Sequence, residues 1–406
     1  MLKRKLTLVL IVAVVSMLPI LAGCAVEEPG EILFGCALSL SGELAETGKL
    51  YQQGYELWEE QVNSQGGISV GGESYLVDIL YYDDGSDPQQ TGSLVEKLIT
   101  EDGVNFLLGP YGSTATLEAA AVADEHGVPM VQGGGAAEDI FASGFEYVFG
   151  LLNPASEYFD GILKWGHDIE QGPDTVAIVS EDDIFSIGAA EGAQQYAGDL
   201  GYDVVSFTKF EQVDDLPTIL GNLTDDEPDI VLFSAHFEEA FSFVQTAKDV
   251  GLNPGLFGIT VAPSDPAFIE ELGADADYIF GTSQWLPVLS YNGSVFESAE
   301  DYALLYQQEY EKEPDYHSAA ASACGVSYQL ALEKAGSLDH DKVRDALASL
   351  DAETFYGRIK FGEDGRIAGS PMVALQIQDG KIVIIFPESL ATGSALYPTP
   401  PWGSRP

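Results

Sequence analysis

Two side chains of the types used in nucleophilic chemistry stand out, a serine at 113 and a histidine at 236. Ser113 comes after a short apolar run, Val104 to Leu108, that breaks at Gly109-Pro110; Ser113 and Thr114 then stand where a helix-forming run begins. A serine with a histidine as general base is a hydrolase pair, but no G-x-S-x-G turn surrounds this one. A second chemistry is anion binding, because a helix N-terminus presents free backbone N–H groups and a partial positive charge. The plainest use is capping of the helix by the serine itself. The neighbouring run "VPMVQ" ends at Gly133-Gly134-Gly135, another strand end with bare backbone. Two such ends side by side describe one wall of a cleft, which favours ligand binding over capping alone.

Other chemistries find little support. "YYDDGSDP" is acidic but lacks the spaced D-x-[DN]-x-[DN]-G loop of a calcium site. A strand end running into a helix cap accounts for it. The histidines, at 126, 167, 236, 317 and 340, show no metal-ligand spacing, and no CxxC is present. No G-x-x-x-x-G-K-[ST] or G-x-G-x-x-G comes after a strand, so neither a metal nor a nucleotide cofactor is expected. The expectation is a binding protein and not an enzyme.

The elements that must position these residues are strands alternating with helices from residue 31 to about 283. Strand-like runs cover 32–40, 75–82, 104–108 and 128–132, then 175–180, 203–210, 229–235, 255–260 and 278–283. Helical runs lie between them, including 45–68, 186–199 and 237–249; Asn153-Pro154 opens a new one, and Asp87-Pro88 reads as a helix start. Strands separated by helices imply parallel sheets with right-handed crossovers. The pattern occurs twice, so the fold class is α/β with two doubly wound, Rossmann-like lobes, and ligands bind such sheets at the strand ends. Residues 295–350 read as helices, and "FYGRIKF", "MVALQIQ" and "KIVIIFP" read as strands with Asp-Gly turns at 364–365 and 379–380.

Composition bounds the partners. The chain has 406 residues, enough for two compact lobes. Lys3-Arg4-Lys5, the apolar run from Leu6 to Ile20 and "LAGC" (21–24) read as a secretory signal with small residues before a cysteine; the apolar run is short for a membrane span. Residues 1–23 hold three basic and no acidic side chains, so residues 24–406 keep 14 basic and 65 acidic side chains, a net charge of −51. That excludes nucleic acid, whose binding needs basic groups to displace phosphate counterions. It also excludes electrostatic adsorption to anionic lipid. The acidic excess is spread along the chain and reads as a solvated surface. Cys36 and Cys324 either pair or lie as two buried thiols; their places in an apolar strand and an Ala-rich helix favour the second.

The chain resembles the type I periplasmic solute-binding proteins of ABC transporters, in the leucine/isoleucine/valine-binding branch. "LSLSGELAETGKLYQQGYELWEEQVNSQGGI" looks like that family's opening signature. "YYDDGSDPQQ" and "LLGPYGST" come next at its spacing, and "GLNPGLFG" and "FGTSQWLP" match its second lobe. The resemblance spans about 31–390 and implies two lobes joined by three crossings. Lobe 1 takes 31–151 plus 284–355 and lobe 2 takes 152–283 plus 356–395, with a tail at 396–406. Residues 1–23 are then a lipoprotein signal, Cys24 the lipidated residue and 24–30 a tether. The implied partners are a small carboxylate ligand, by default an amino acid, the ABC permease subunits, and the membrane through the lipid on Cys24. The location is extracytoplasmic. The same fold can also serve as a ligand-sensing receptor for a signalling partner.

The family's site carries over only in part. Its carboxylate-holding serine aligns with Ser113, and Tyr111 and Thr114 flank it. A backbone carbonyl that holds the ligand's polar head aligns with Gly134, beside Gly135, and a family threonine becomes Ala136. Two family tyrosines become Phe185 and His236, and the acid that pairs with the ligand ammonium aligns with Thr260. Glu238 and Glu239 are substitutes for it that more naturally face solvent. Tyr111, Phe185, Phe237 and Trp285 together suggest an apolar or flat ligand, with a neutral His236 bonding it and Trp285 stacking on it.

Overall fold

The computed structural model describes residues 29–405. The signal, Cys24 and most of the tether lie outside those residues. The strands, in chain order, are β1 (Gly30–Leu38), β2 (Ile68–Val70), β3 (Glu73–Asp83), β4 (Phe106–Leu108), β5 (Met130–Gln132), β6 (Val148–Gly150), β7 (Thr175–Glu181) and β8 (Asp203–Phe210). They continue with β9 (Ile230–Ser234), β10 (Leu256–Ile259), β11 (Ile279–Ser283), β12 (Asp351–Thr354), β13 (Gly357–Lys360), β14 (Val373–Gln378) and β15 (Lys381–Phe386). The helices are α1 (Ala45–Ser64), α2 (Pro88–Lys97), α3 (Ser113–His126), α4 (Asp139–Ala142), α5 (Asp160–His167) and α6 (Ile184–Leu200). After them come α7 (Leu216–Asp226), α8 (Phe237–Val250), α9 (Pro266–Leu272), α10 (Ala299–Tyr310), α11 (Tyr316–Ala335) and α12 (His340–Ala348).

One sheet has the order β2-β3-β1-β4-β5-β6 and the other β15-β14-β11-β10-β9-β7-β8. The β1, β3, β4, β5 and β6 pairings are parallel, as are those among β7 to β11. Strand order reverses between β1 and β4 in the first sheet and between β7 and β9 in the second, and such reversals open a crevice at the strand C-termini. The apolar runs form these parallel strands because both faces are covered: every residue of β4, β5 and β9 is buried. Asp87 caps α2 with Pro88 in its first turn, as the sequence predicts. At 379–380 Asp379 (φ 50°) and Gly380 (φ 68°) form the tight β14–β15 turn.

Two boundaries differ from the sequence expectation. Residues 356–367 stay with the first sheet: Gly150 N donates to Gly365 O at 2.9 Å, Ile367 N donates to Gly150 O at 2.8 Å, and Phe149 packs on Phe361. The third crossing therefore comes after Ile367, not residue 355. The Asn153 amide groups link all three crossings, the backbone N–H facing Gln284 Oε1 at 3.3 Å and Nδ2 donating to Ser370 O at 2.9 Å. The Pro-rich tail is packed on the second lobe, with Thr399 N donating to Gly255 O and Trp402 Nε1 to Leu252 O. Cys36 and Cys324 are buried free thiols, not a disulfide. No helix among the described residues is long and apolar enough to cross a membrane.

Candidate functional site

Between the strand ends of the two sheets lies a narrow cavity of about 10 Å³, close to the space of one water. From the first lobe it is lined by Tyr111, Ser113, Gly134, Ala136, Tyr316 and His317; Leu152 and Tyr158 lie at and beyond the first crossing, and Phe185, His236 and Val261 come from the second lobe.

The first wall is built around Ser113. Gly112, at φ +88°, turns the chain from β4 into α3 and is the helix N-cap, so Ser113 is the first helical residue and not the cap. The first amides of α3 have no partner within the helix. Ser113 is buried, and its Oγ accepts from Ala136 N and Ala137 N, both at 3.1 Å. Those two bonds fill the hydroxyl's acceptor sites, so the hydroxyl proton is left to donate. Gln132 shapes the facing loop: its Oε1 accepts from Gly134 N and Gly135 N, and its Nε2 donates to Gly135 O. A Cβ at Gly134 would lie 2.1 Å from Pro110 O, which accounts for bare backbone there. The Gly134 carbonyl accepts from Gly112 N at 3.0 Å, tying the two loops together.

The second wall is electrostatic. Asp183 caps α6, accepting from Phe185 N and Ser186 N. His236 Nδ1 lies 3.0 Å from Tyr111 Oη across the cleft, and Nε2 lies 3.6 Å from Asp183 Oδ1. Burial disfavours the imidazolium, yet the Asp183 and Glu181 carboxylates hold His236 above the usual histidine range. Burial raises Glu181 to about 7 against the opposing pull of His236. Burial likewise pushes Asp183 up, but His236 and its capping bonds hold it below the usual carboxylate value. The surroundings of His236 therefore favour its protonated form, where the sequence reading expects a neutral ring. In that form Nδ1 donates to Tyr111 Oη, and the phenol proton is left for another acceptor. Burial raises Tyr111 as well, so it remains a phenol.

Glu181, Asp183 and His236 hold potential ligand atoms within 4.8 Å of one another, the one such cluster among the described residues. The two nitrogens of His236 already face Tyr111 and Asp183, so neither is left open toward a metal. Nor does Ser113 pair with His236 as a nucleophile with its base, since the hydrogen bonds of each go to other partners.

The other expected site residues lie elsewhere. Trp285 is fully buried away from the cavity, its Nε1 donating to Phe355 O at 2.9 Å and its ring edge-on to Tyr302. Ser283 Oγ donates to Trp285 O and turns the crossing inward. Thr260 Oγ1 donates to Ala235 O at 2.7 Å and accepts from Ala235 N, joining the ends of β9 and β10. The cavity position is its neighbour Val261, so the wall there is apolar. The Thr114 side chain is exposed, and Gly135 serves the loop from behind. Phe237 packs on Phe241, Glu238 is exposed and Glu239 is half-buried.

Leu152, Tyr158, Val261, Tyr316 and His317 are the site residues that sequence reasoning missed. Asp315 caps α11 through Ser318 N and accepts a hydrogen bond from His317 Nδ1. "DYHS" (315–318) carries a visible signal, an Asp N-cap with an aromatic residue and a histidine next to it at a helix start.

A family model described as periplasmic binding protein matches residues 31–381. A curated relative, the Leu/Ile/Val-binding protein homolog 8 of Brucella melitensis, is 26% identical over 385 residues, covering 89% of this chain and 92% of that protein. The branched-chain amino acid transporter substrate-binding protein LivJ of Streptococcus pneumoniae, solved with isoleucine, superposes with a TM-score of 0.77 at 21% identity, over 88% of this chain and 100% of that one. A solute-binding protein from R. palustris, solved with benzoate, gives 0.74 at 20% identity, over 88% and 96%. With the two-lobed fold, the interlobe cavity and a family match over most of its length, the chain belongs to the periplasmic binding protein family.

Proposed function

We propose that the interlobe cavity captures an amino acid or amino-acid-like small carboxylate, with the carboxylate seated on Ser113 and the first amides of α3. The observation that carries this reading is the Ser113 hydroxyl, whose acceptor sites are filled by Ala136 N and Ala137 N so that its proton is free for an anion. The Tyr111 proton is a second donor nearby. The molecules bound by the two solved relatives, isoleucine and benzoate, have a carboxylate in common and little else. The chain is the extracytoplasmic substrate-binding component of an ABC importer, handing its ligand to the permease subunits, and performs no covalent chemistry.

Ser113→Ala should lose on the order of 1–3 kcal/mol of carboxylate affinity, since a hydrogen bond to a charged group is removed. Calorimetric titration checks this, and unchanged affinity would place the carboxylate elsewhere. We further propose that the lipid on Cys24 tethers the protein beside its permease. Cys24→Ser should move the chain from the membrane fraction to the soluble one; retention in membranes would refute the anchor.

A further inference from the structure

Side-chain charge inside the cavity is unevenly supplied. No lining residue is a carboxylate. The nearest acids stand outside the lining: Asp183 holds α6 and faces His236, Glu181 belongs to the same cluster, and Asp315 holds α11 and His317. An ammonium group brought into this space would find no carboxylate on the lining itself to pair with. An unpaired buried charge costs several kcal/mol.

What the cavity does supply is rings. Tyr111, Tyr158, Phe185, Tyr316, His236 and His317 make up six of its eleven lining residues. Tyr111 with His317 and Tyr158 with Phe185 are set edge-to-face, at 88° and 79°. That arrangement offers ring faces and edges to a further aromatic group.

His317 adds a second, independent observation. Its side chain is 3% exposed and its ring stacks on Tyr316. Nδ1 is held by Asp315, while Nε2 is buried with no hydrogen-bond partner among the described residues. Native interiors rarely leave such an atom bare, and this one belongs to a residue lining a ligand cavity.

Resting on the carboxylate reading of the site, we propose that the cavity selects a ring-bearing carboxylate without an ammonium group, and that His317 Nε2 hydrogen-bonds a hydroxyl on that ring. Asp315 is then a positioning residue, fixing the ring through Nδ1 and leaving Nε2 for the ligand.

The test uses the full chain, purified in detergent and titrated with benzoate, 4-hydroxybenzoate, benzamide, leucine and phenylalanine. Benzoate and 4-hydroxybenzoate should bind at least about tenfold tighter than either amino acid, the cost of a buried ammonium without a counter-charge. Leucine or phenylalanine binding as tightly as benzoate would overturn the ring-acid assignment while leaving the carboxylate reading intact. Benzamide binding as well as benzoate would instead overturn the carboxylate reading. His317→Asn retains a donor for Asp315 and removes the Nε2 position, so the ratio of 4-hydroxybenzoate to benzoate affinity should fall about tenfold. Equal effects on the two acids, or none, in a variant whose thermal transition matches the parent would remove His317 from the site. A variant that fails to fold is replaced by His317→Gln, which keeps a polar group near Nε2 and should retain preference for the hydroxylated acid; loss of that preference would refute the assignment.

Discussion

The two walls of the cleft are made in different ways. The first-lobe wall is a lattice of buried hydrogen bonds: Ala136 and Ala137 N–H on Ser113, Gln132 clamping Gly134 and Gly135, Tyr51 donating to Gly133 O, and Tyr55 donating to Gly109 O at 2.7 Å. None of these groups needs to change charge or move to meet a ligand. The second-lobe wall rests on Glu181, Asp183 and His236, whose charge states depend on one another. It touches the first wall through the bond between His236 and Tyr111. A rigid neutral platform on one side and a charged, adjustable face on the other suit a protein that must bind, close and release. Binding strength then belongs to the first wall, and closure and its pH dependence to the second.

Trp285 provides the sharpest check on which residues count as wall. If it is core, as its bond to Phe355 O and packing on Tyr302 show, Trp285→Ala removes a fully buried indole and should cost about 3–5 kcal/mol of stability. Denaturant unfolding measures that loss. Ligand affinity of the molecules that remain folded should hardly move; a large affinity loss with little loss of stability would return Trp285 to the cleft and blur the division between wall and core.

That residue also shows where sequence reading runs out. The βα alternation is legible because parallel strands covered on both faces are continuous apolar runs, so β7 to β11 fall within a residue or two of the expected spans. The Ser113 turn is legible because glycine, proline and serine mark it. What residue types at strand ends do not reveal is the direction in which the chain leaves. Trp285 lies two residues past β11 as His236 lies two past β9, yet one turns into the core and the other into the cleft. The difference is set by Gln284 and Ser283, whose partners are up to 131 residues away in sequence. Thr260 fails by one position for a similar reason, its hydroxyl being taken by Ala235. Tyr316 and His317 start α11, far along the chain from every other wall residue, and only the fold brings them in.

A smaller effect probes the contact between the walls. Tyr111→Phe keeps the ring but removes the oxygen that faces His236, so one cross-cleft hydrogen bond is lost, about 0.5–1.5 kcal/mol. The loss should show as faster ligand release in stopped-flow displacement, since the closed state is the one weakened. An unchanged release rate would mean that the bond does not hold the lobes together and that the second wall contributes through His236 alone.

The smallest expected effect comes from protonation, and here the walls should separate cleanly. His236 is raised in the folded protein, so its contribution is fully present below the ordinary histidine value of about 6.5 and is lost as pH rises through its higher folded value. Glu59, Asp160, Glu181 and Asp265 are each raised by burial to about 7. They bind protons in the folded chain between about pH 4.5 and 7, where the unfolded chain has released them, so they also favour folding on the acid side of that window and cease to above it. Lowering the pH also reduces the self-repulsion of a strongly acidic surface. All three effects have the same sign, and the melting temperature should rise by roughly 2–4 °C between about pH 8 and pH 5.5, partial exposure keeping the gain small. Ligand affinity should change with pH only through the second wall: it declines on the alkaline side in the parent chain and becomes flat in His236→Asn, while the stability trend survives in that variant. A parallel loss of both trends would mean that the charged wall governs the fold as a whole and not the cleft.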